Sequence, residues 1–210
     1  MRPHLLLTAV AAGLLAAPAP AAAACITPAG ARVVAQTEEA SVTLETQGED
    51  ADPLEGETSF SLWRGCAEES ATQVELLSGS RALFSSRSAS GFELAGPFVA
   101  FLAERAPDKY ESFARLVTVD LRTGARWESG EVSYFGGLGF TEHAVNRRGD
   151  AAWVRLTYGE RRQRQWRLFV RNDGRVVRRD TSSRPLSRLR LSGTRMSWSE
   201  GGRRRSRRLG

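Results

Sequence analysis

Few side chains in this chain have types and spacings that could do chemistry. The densest charge run is Arg203-Arg204-Arg205-Ser206-Arg207-Arg208, five guanidiniums in six residues. Such a run is an anion-binding candidate, because guanidinium forks match the oxygens of phosphate, sulfate and carboxylate. A second cluster, Asp50, Asp52 and Glu55 in "ETQGEDADPLEGET", offers the hard oxygen ligands that calcium takes. Its spacing matches no EF-hand loop, and Pro53 with two glycines reads as a solvated hairpin turn. The chain has two histidines, His4 and His143. A Ser-His-acid triad would have to use His143 as its base. It stands beside Glu142 in "GFTEHAVN" and reads as a solvated or hydrogen-bonded loop residue at the approach to a strand. No Gly-x-Ser-x-Gly elbow and no phosphate-cradling glycine loop occurs. Carboxylates are numerous, but no spacing picks out a glycosidase pair. No catalytic residue and no cofactor is assigned, and the absence of a catalytic constellation points away from an enzyme.

One string looks like an address: Arg148-Gly149-Asp150 in "VNRRGDAAWV" is the tripeptide that adhesion proteins offer to integrins. The same register recurs, however. A glycine precedes a small residue and an aromatic at Gly96…Ala100-Phe101, Gly149…Ala152-Trp153 and Gly193…Ser197-Trp198. Gly149 is therefore expected at a turn, where glycine reaches positive φ without steric cost.

The ends of the sequence bear on destination. "MRPHLLLTAVAAGLLAAPAPAAAAC" has a basic start, a short apolar run and a small-residue stretch, the pattern of a secretory signal over residues 1–24. No later stretch is apolar and long enough for a transmembrane helix. The expected location is extracellular or associated with the cell envelope. Exported cysteines meet an oxidising compartment, so Cys25 and Cys66 are expected to form a disulfide. Cleavage just before Cys25 would allow lipidation of the same sulfur instead, although Ala22 stands where lipoproteins usually carry leucine.

Charge is uneven. From Cys25 to Glu160 there are 12 basic and 21 acidic residues; from Arg161 to Gly210 there are 17 arginines and three acids. Either the halves neutralise each other within one fold, or a basic face awaits an anionic partner. Export argues against nucleic acid as the partner; an anionic envelope polymer, phospholipid headgroups or another protein fits better.

The elements that must position these residues read as strands. "ARVVAQ", "ASVTLE", "SFSLWRGC", "TQVELLSG", "GFELAG", "PFVAFLAE", "FARLVTVDL", "AAWVRLTY", "QWRLFVRN", "GRVVRRD", "SRLRLSG" and "TRMSWSE" are short, rich in β-branched or aromatic residues, and punctuated by Gly, Asn, Asp or Ser. No sustained helical period occurs. A second recurring pattern, an apolar strand, a glycine turn and a return strand, is read in "VELLSGSRA", "VTVDLRTGARW" and "LFVRNDGRVV". The aromatics Phe101, Trp153 and Trp198 are 52 and 45 residues apart, near the roughly 40–50 residues of a propeller blade. The expectation is an all-β, propeller-like array of about four blades of short antiparallel strands, closed or partial, over residues 25–202. The small-plus-aromatic pair is expected to bury against the next blade. Residues 203–210 are expected as a basic edge strand or tail.

"GPFVAFLAE…VTVDLRTGARW" and "NRRGDAAWV…RLFVRNDGRVV" resemble TolB-type β-propeller repeats. The order Cys25, "ARVVA", "LWRGC" and "LRLSGTRMSW" resembles that of a group of small exported proteins of high-GC actinobacteria. The resemblance implies a fold and export, and no activity. The function expected is a non-enzymatic extracellular interaction module; the alternative is an envelope polysaccharide hydrolase using a carboxylate pair.

Overall fold

The computed structural model describes residues 25–48, 59–82, 85–134, 138–159 and 162–209. The 1–24 segment and the candidate cation ligands Asp50, Asp52 and Glu55 lie outside them. Within the described residues the chain is all-β and every strand pairing is antiparallel. No described segment forms a helix long and apolar enough to cross a membrane.

The strands run as successive meanders. The first unit is β1 (Arg32–Gln36), β2 (Ala40–Gln47), β3 (Ser59–Ala67) and β4 (Gln73–Ala82). The second is β5 (Ser85–Ala95), β6 (Phe98–Ala106), β7 (Phe113–Asp120) and a split outer strand, β8 (Arg126–Glu128) with β9 (Val132–Ser133), both paired to β7. Two residue pairs, Arg81 with Ser86 and Ala82 with Ser85, join β4 to β5 in one ladder. The third unit is a separate sheet of β10 (Gly139–Val145), β11 (Ala151–Tyr158), β12 (Arg164–Asn172) and β13 (Arg175–Ser182). The fourth has three strands: β14 (Leu186–Ser192), β15 (Arg195–Glu200) and β16 (Arg203–Arg208). No described strand of the fourth unit pairs with one of the first.

Three apolar cores hold these four units together, one at each seam. Val42, Trp63, Leu76 and Leu77 of the first unit pack with Phe101, Val117 and Val119 of the second. Ala100, Ala114 and Leu116 of the second pack with Val145, Ala151 and Trp153 of the third. Ala152, Val154, Leu168 and Val170 of the third pack with Leu186, Met196, Trp198 and Leu209 of the fourth. Each middle unit thus buries both faces, because successive strand residues point to opposite sides.

That alternation corrects the expected packing of the small-plus-aromatic pairs, which split rather than burying together against the next unit. Phe101 and Trp153 face the preceding unit, while Ala100 and Ala152 face the following one. A small residue leaves room for the incoming sheet, and the aromatic fills the seam behind. Phe92 stacks on Phe101 at 5.2 Å, and Trp127, Trp153 and Phe169 form a run with centroids 5.5 and 5.6 Å apart.

The glycine turns separate into two kinds. Gly96, Gly149 and Gly193, all at positive φ, close the hairpin of the first two strands in units two to four. Gly124 and Gly174 close outer hairpins after β7 and β12. The third expected outer hairpin, in "VELLSGSRA", is not a turn. Gly79 lies inside β4, where a Cβ would come 2.2 Å from the carbonyl oxygen of Arg87 on β5. Glycine there permits close backbone approach.

Candidate functional site

The inner turns form a hub that fixes the units relative to one another. Arg147 Nη2 of the third unit lies 2.6 Å from Glu39 Oε1 of the first. A Cβ on Gly96 of the second would sit 3.2 Å from both of these side chains. Asn146 Nδ2 donates to the Gly193 carbonyl of the fourth at 2.7 Å and to Asp150 Oδ2 at 3.0 Å. Its Oδ1 accepts from the amides of Arg148 and Asp150. The Arg-Gly-Asp string is therefore part of a structural turn. Asp150 is buried, Gly149 has φ +78°, and Arg148 lies 3.6 Å from Asp173. A carboxylate held inside by Asn146 is not presented to a receptor.

Cys25 and Cys66 are bridged, with Cα atoms 5.9 Å apart. The bridge ties the segment before β1 to the end of β3, and Glu68 accepts the Cys25 amide at 2.9 Å. The sulfur that a lipid would need is taken by this bond.

His143 is not a loop residue. It stands in β10, buried, and its Nε2–H donates to the Gly91 carbonyl at 2.5 Å. Burial holds its pKa below the ordinary histidine value. Gly91 makes room for it, since a Cβ there would lie 2.9 Å from His143 Cε1. Nearby on β5, desolvation and the neighbouring Glu142 carboxylate raise the Glu93 carboxyl to about 7. Glu142 in turn accepts the amides of Arg188 at 2.8 Å and Leu189 at 2.6 Å, on opposite oxygens. Those amides belong to a bulge of β14, where Arg188 has φ +54°. Glu142 thus fastens the fourth unit to the third. Among the described residues no group of three or more His, Cys, Asp and Glu is placed to hold a metal ion.

The candidate arginines of the C-terminal run form β16, with all six residues exposed. Its register on β15 pairs Trp198 with Arg205 and Met196 with Arg207, so Arg203, Arg205 and Arg207 share the side that leads into the core. Arg204, Ser206 and Arg208 share the opposite side with Ser199, Ser197 and Arg195. Across β15, β14 adds Arg190 opposite Ser197 and Ser192 opposite Arg195. The result is an open groove of about 580 Å³ lined by Arg190, Ser192, Arg195, Ser197, Arg204, Arg205 and Ser206. A smaller recess of about 270 Å³ beside it adds Arg188.

Three features set this face apart. It occupies the position of a seam: Ser197 stands where Ala100 and Ala152 bury against a following unit. Its lining side chains are arginines and serines, where the buried seams carry apolar residues. Most of its guanidiniums are also uncommitted: among the described residues, Arg188, Arg190, Arg195 and Arg204 enter no ion pair, Arg205 alone pairs with Glu200, and no carboxylate lines the groove. The groove at the seam of units two and three, about 190 Å³ beside Arg148, Gly149 and Arg171, differs. Arg148 there lies near Asp150 and Asp173, and Arg171 donates to the Gly149 carbonyl and lies over the Trp127 ring.

Of the five arginines singled out from the sequence, β16 brings Arg204 onto the groove, with Arg208 on the same side of the strand. Arg203 and Arg207 are on the other side, and Arg205 pairs with Glu200 at 3.0 Å. Arg190 and Arg195 lie outside that run, although "LRLSGTR" carries a usable signal: arginines alternating with other residues on either side of a glycine turn.

No family model and no curated protein matches the chain. Among solved structures, one described as a Synechocystis ACO mutant is similar at a TM-score of 0.35 and 9% identity, over 81% of this chain and 46% of that one. This chain spans less than half that protein's length, and likeness at this level carries no argument about fold or function.

Proposed function

We propose that the protein is an exported, non-enzymatic interaction module that holds an anionic partner on the Arg/Ser face of its fourth unit. In this reading the four meanders are the blades of a partial, TolB-like propeller, and the last blade presents outward the face that earlier blades bury. The observation that carries it is the groove of Arg190, Arg195 and Arg204 with three serine hydroxyls and no lining carboxylate. Clustered cations without internal partners raise local anion concentration and give forked donors to phosphate, sulfate or carboxylate. The partner is an envelope polymer or an acidic protein surface.

The test is retention of the intact chain on heparin as salt rises, against the variant Arg190→Gln/Arg195→Gln/Arg204→Gln. The variant should elute at clearly lower salt, because fewer counterions are displaced. Unchanged elution would sink the reading. Truncating residues 203–210 is a poorer test, because Leu209 is buried in the core between the last two units.

A second reading, hydrolysis by a carboxylate pair, would fall to Glu93 and Glu142, since a carboxyl raised to about 7 with a second carboxyl group near it is the pattern of an acid and its partner. Both Glu142 oxygens are engaged by β14 amides, which favours a structural role. Turnover of an envelope polysaccharide that disappears in Glu93→Gln would reverse the ranking.

A further inference from the structure

The first and third units have four strands, and the second completes its fourth position with β8 and β9; the fourth has three among the described residues. The Leu209 amide donates to the Thr194 carbonyl at 2.7 Å, and its side chain is buried with Met196 and Trp198. β16 pairs only with β15, so its other edge has no described partner.

We propose that this edge receives an extended acidic segment of a partner protein, added as a fourth strand. The proposal rests on the anionic-partner reading and names the partner's class. An edge strand presents main-chain N–H and C=O groups that a further strand satisfies. The side chains then decide which strand is accepted. Two copies meeting through β16 would set arginine against arginine, which is unfavourable for directly opposed like charges. An acidic strand instead sets carboxylates against guanidiniums on both faces: Arg203, Arg205 and Arg207 on one, Arg204 and Arg208 on the other. The fold already contains one such contact, Glu200 of β15 with Arg205 of β16. On the Arg204 side, Arg190 and Arg195 stand behind as a second row for longer acidic side chains. A polysaccharide would meet the charges but leave the ladder unmet. The same arginines therefore discourage self-pairing and select the partner.

The probe is a blocked synthetic peptide of repeating Glu-Glu-Thr-Thr, which sets carboxylates on both faces of an extended strand, long enough to cover β16, compared with the same sequence fully N-methylated. Methylation removes every backbone donor and leaves the charge unchanged. Binding to the intact chain is measured by calorimetry, with amide exchange at Arg203–Arg208 as the structural readout and heparin as a parallel ligand. The unmodified peptide should bind and slow exchange of alternate β16 amides. Losing two or three backbone bonds should weaken the methylated peptide on the order of 10- to 100-fold. Equal binding of both peptides overturns strand addition and leaves charge recognition standing. Binding of heparin with neither peptide does the same. Binding of none of the three overturns both this proposal and the reading on which it rests.

Discussion

Replacing Asn146 by alanine removes the link between two inner turns at one stroke. Asn146 is 2% exposed and makes four hydrogen bonds: it donates to Asp150 Oδ2 and the Gly193 carbonyl, and accepts from the Arg148 and Asp150 amides. A typical bond contributes about 1 kcal/mol net, and a buried group left unpaired costs about 1–3 kcal/mol. The Asp150 carboxylate loses a donor in a buried site, while the Arg148 side of the turn retains access to water. These contributions overlap, so the loss for Asn146→Ala should be about 3–4 kcal/mol. Urea unfolding followed by far-UV circular dichroism measures it. With a slope of roughly 2–3 kcal/mol per molar for a chain of this size, the midpoint should fall by about 1–2 M at unchanged slope. Asp150→Ala in the same background should cost less than it does alone, because the stranded carboxylate is gone; a coupling of about 1–2 kcal/mol is expected. A loss below about 1 kcal/mol, or strict additivity, would refute the reasoning that this turn is a buried polar hub.

Other perturbations test separate parts of the structure. Gly149→Ala should cost more than Gly174→Ala by about 1–3 kcal/mol, because both have positive φ but only Gly149 would drive a Cβ to 2.7 Å from the Phe98 ring; equal midpoints in urea would refute the packing. Removing the Cys25–Cys66 bridge, whose sequence separation is 41, should lower stability by about 4 kcal/mol on the chain-entropy relation; chemical unfolding of Cys25→Ser/Cys66→Ser against the wild type checks it, and no loss would contradict a native bridge. Glu93 supplies a pH signature. Its folded pKa, about 7, lies above the unfolded value of 4.5, so its contribution is fully present below 4.5 and is lost as pH rises through 7. Solvent access at this exposed residue softens the effect. Stability of wild type relative to Glu93→Gln should therefore decline between those pH values, and a flat difference would contradict the placement of Glu93 against Glu142.

Strand identity was largely legible because apolar alternation and glycine punctuation are local. So was the role of Gly149: its register with Gly96 and Gly193 places it in a turn whatever lies beside it. What lay beyond reach depended on which strands become neighbours. Gly79 reads as a turn locally, yet its reason is the Arg87 backbone across a ladder. "SSRSAS" lacks apolar alternation because it opens β5, an inner strand with several partly exposed residues. His143 reads as a loop residue because the Gly91 carbonyl that accepts its hydrogen bond is 52 residues away in sequence. The basic face was half legible. The arginine run is visible by composition, but alternation sends Arg203, Arg205 and Arg207 to the other side of the strand. Arg190 and Arg195 join the groove only through the β14–β15 hairpin.

The central claim is that the open face of the fourth unit is the binding surface. It is tested most directly by titrating the isotopically labelled intact chain with a sulfated polysaccharide or an acidic peptide and following amide shifts residue by residue. The account predicts that the largest changes fall on Arg190, Ser192, Arg195, Ser197, Arg204 and Ser206, and weaken steeply with added salt. Changes centred on the first unit, or none at ligand concentrations that saturate other basic proteins, would contradict it.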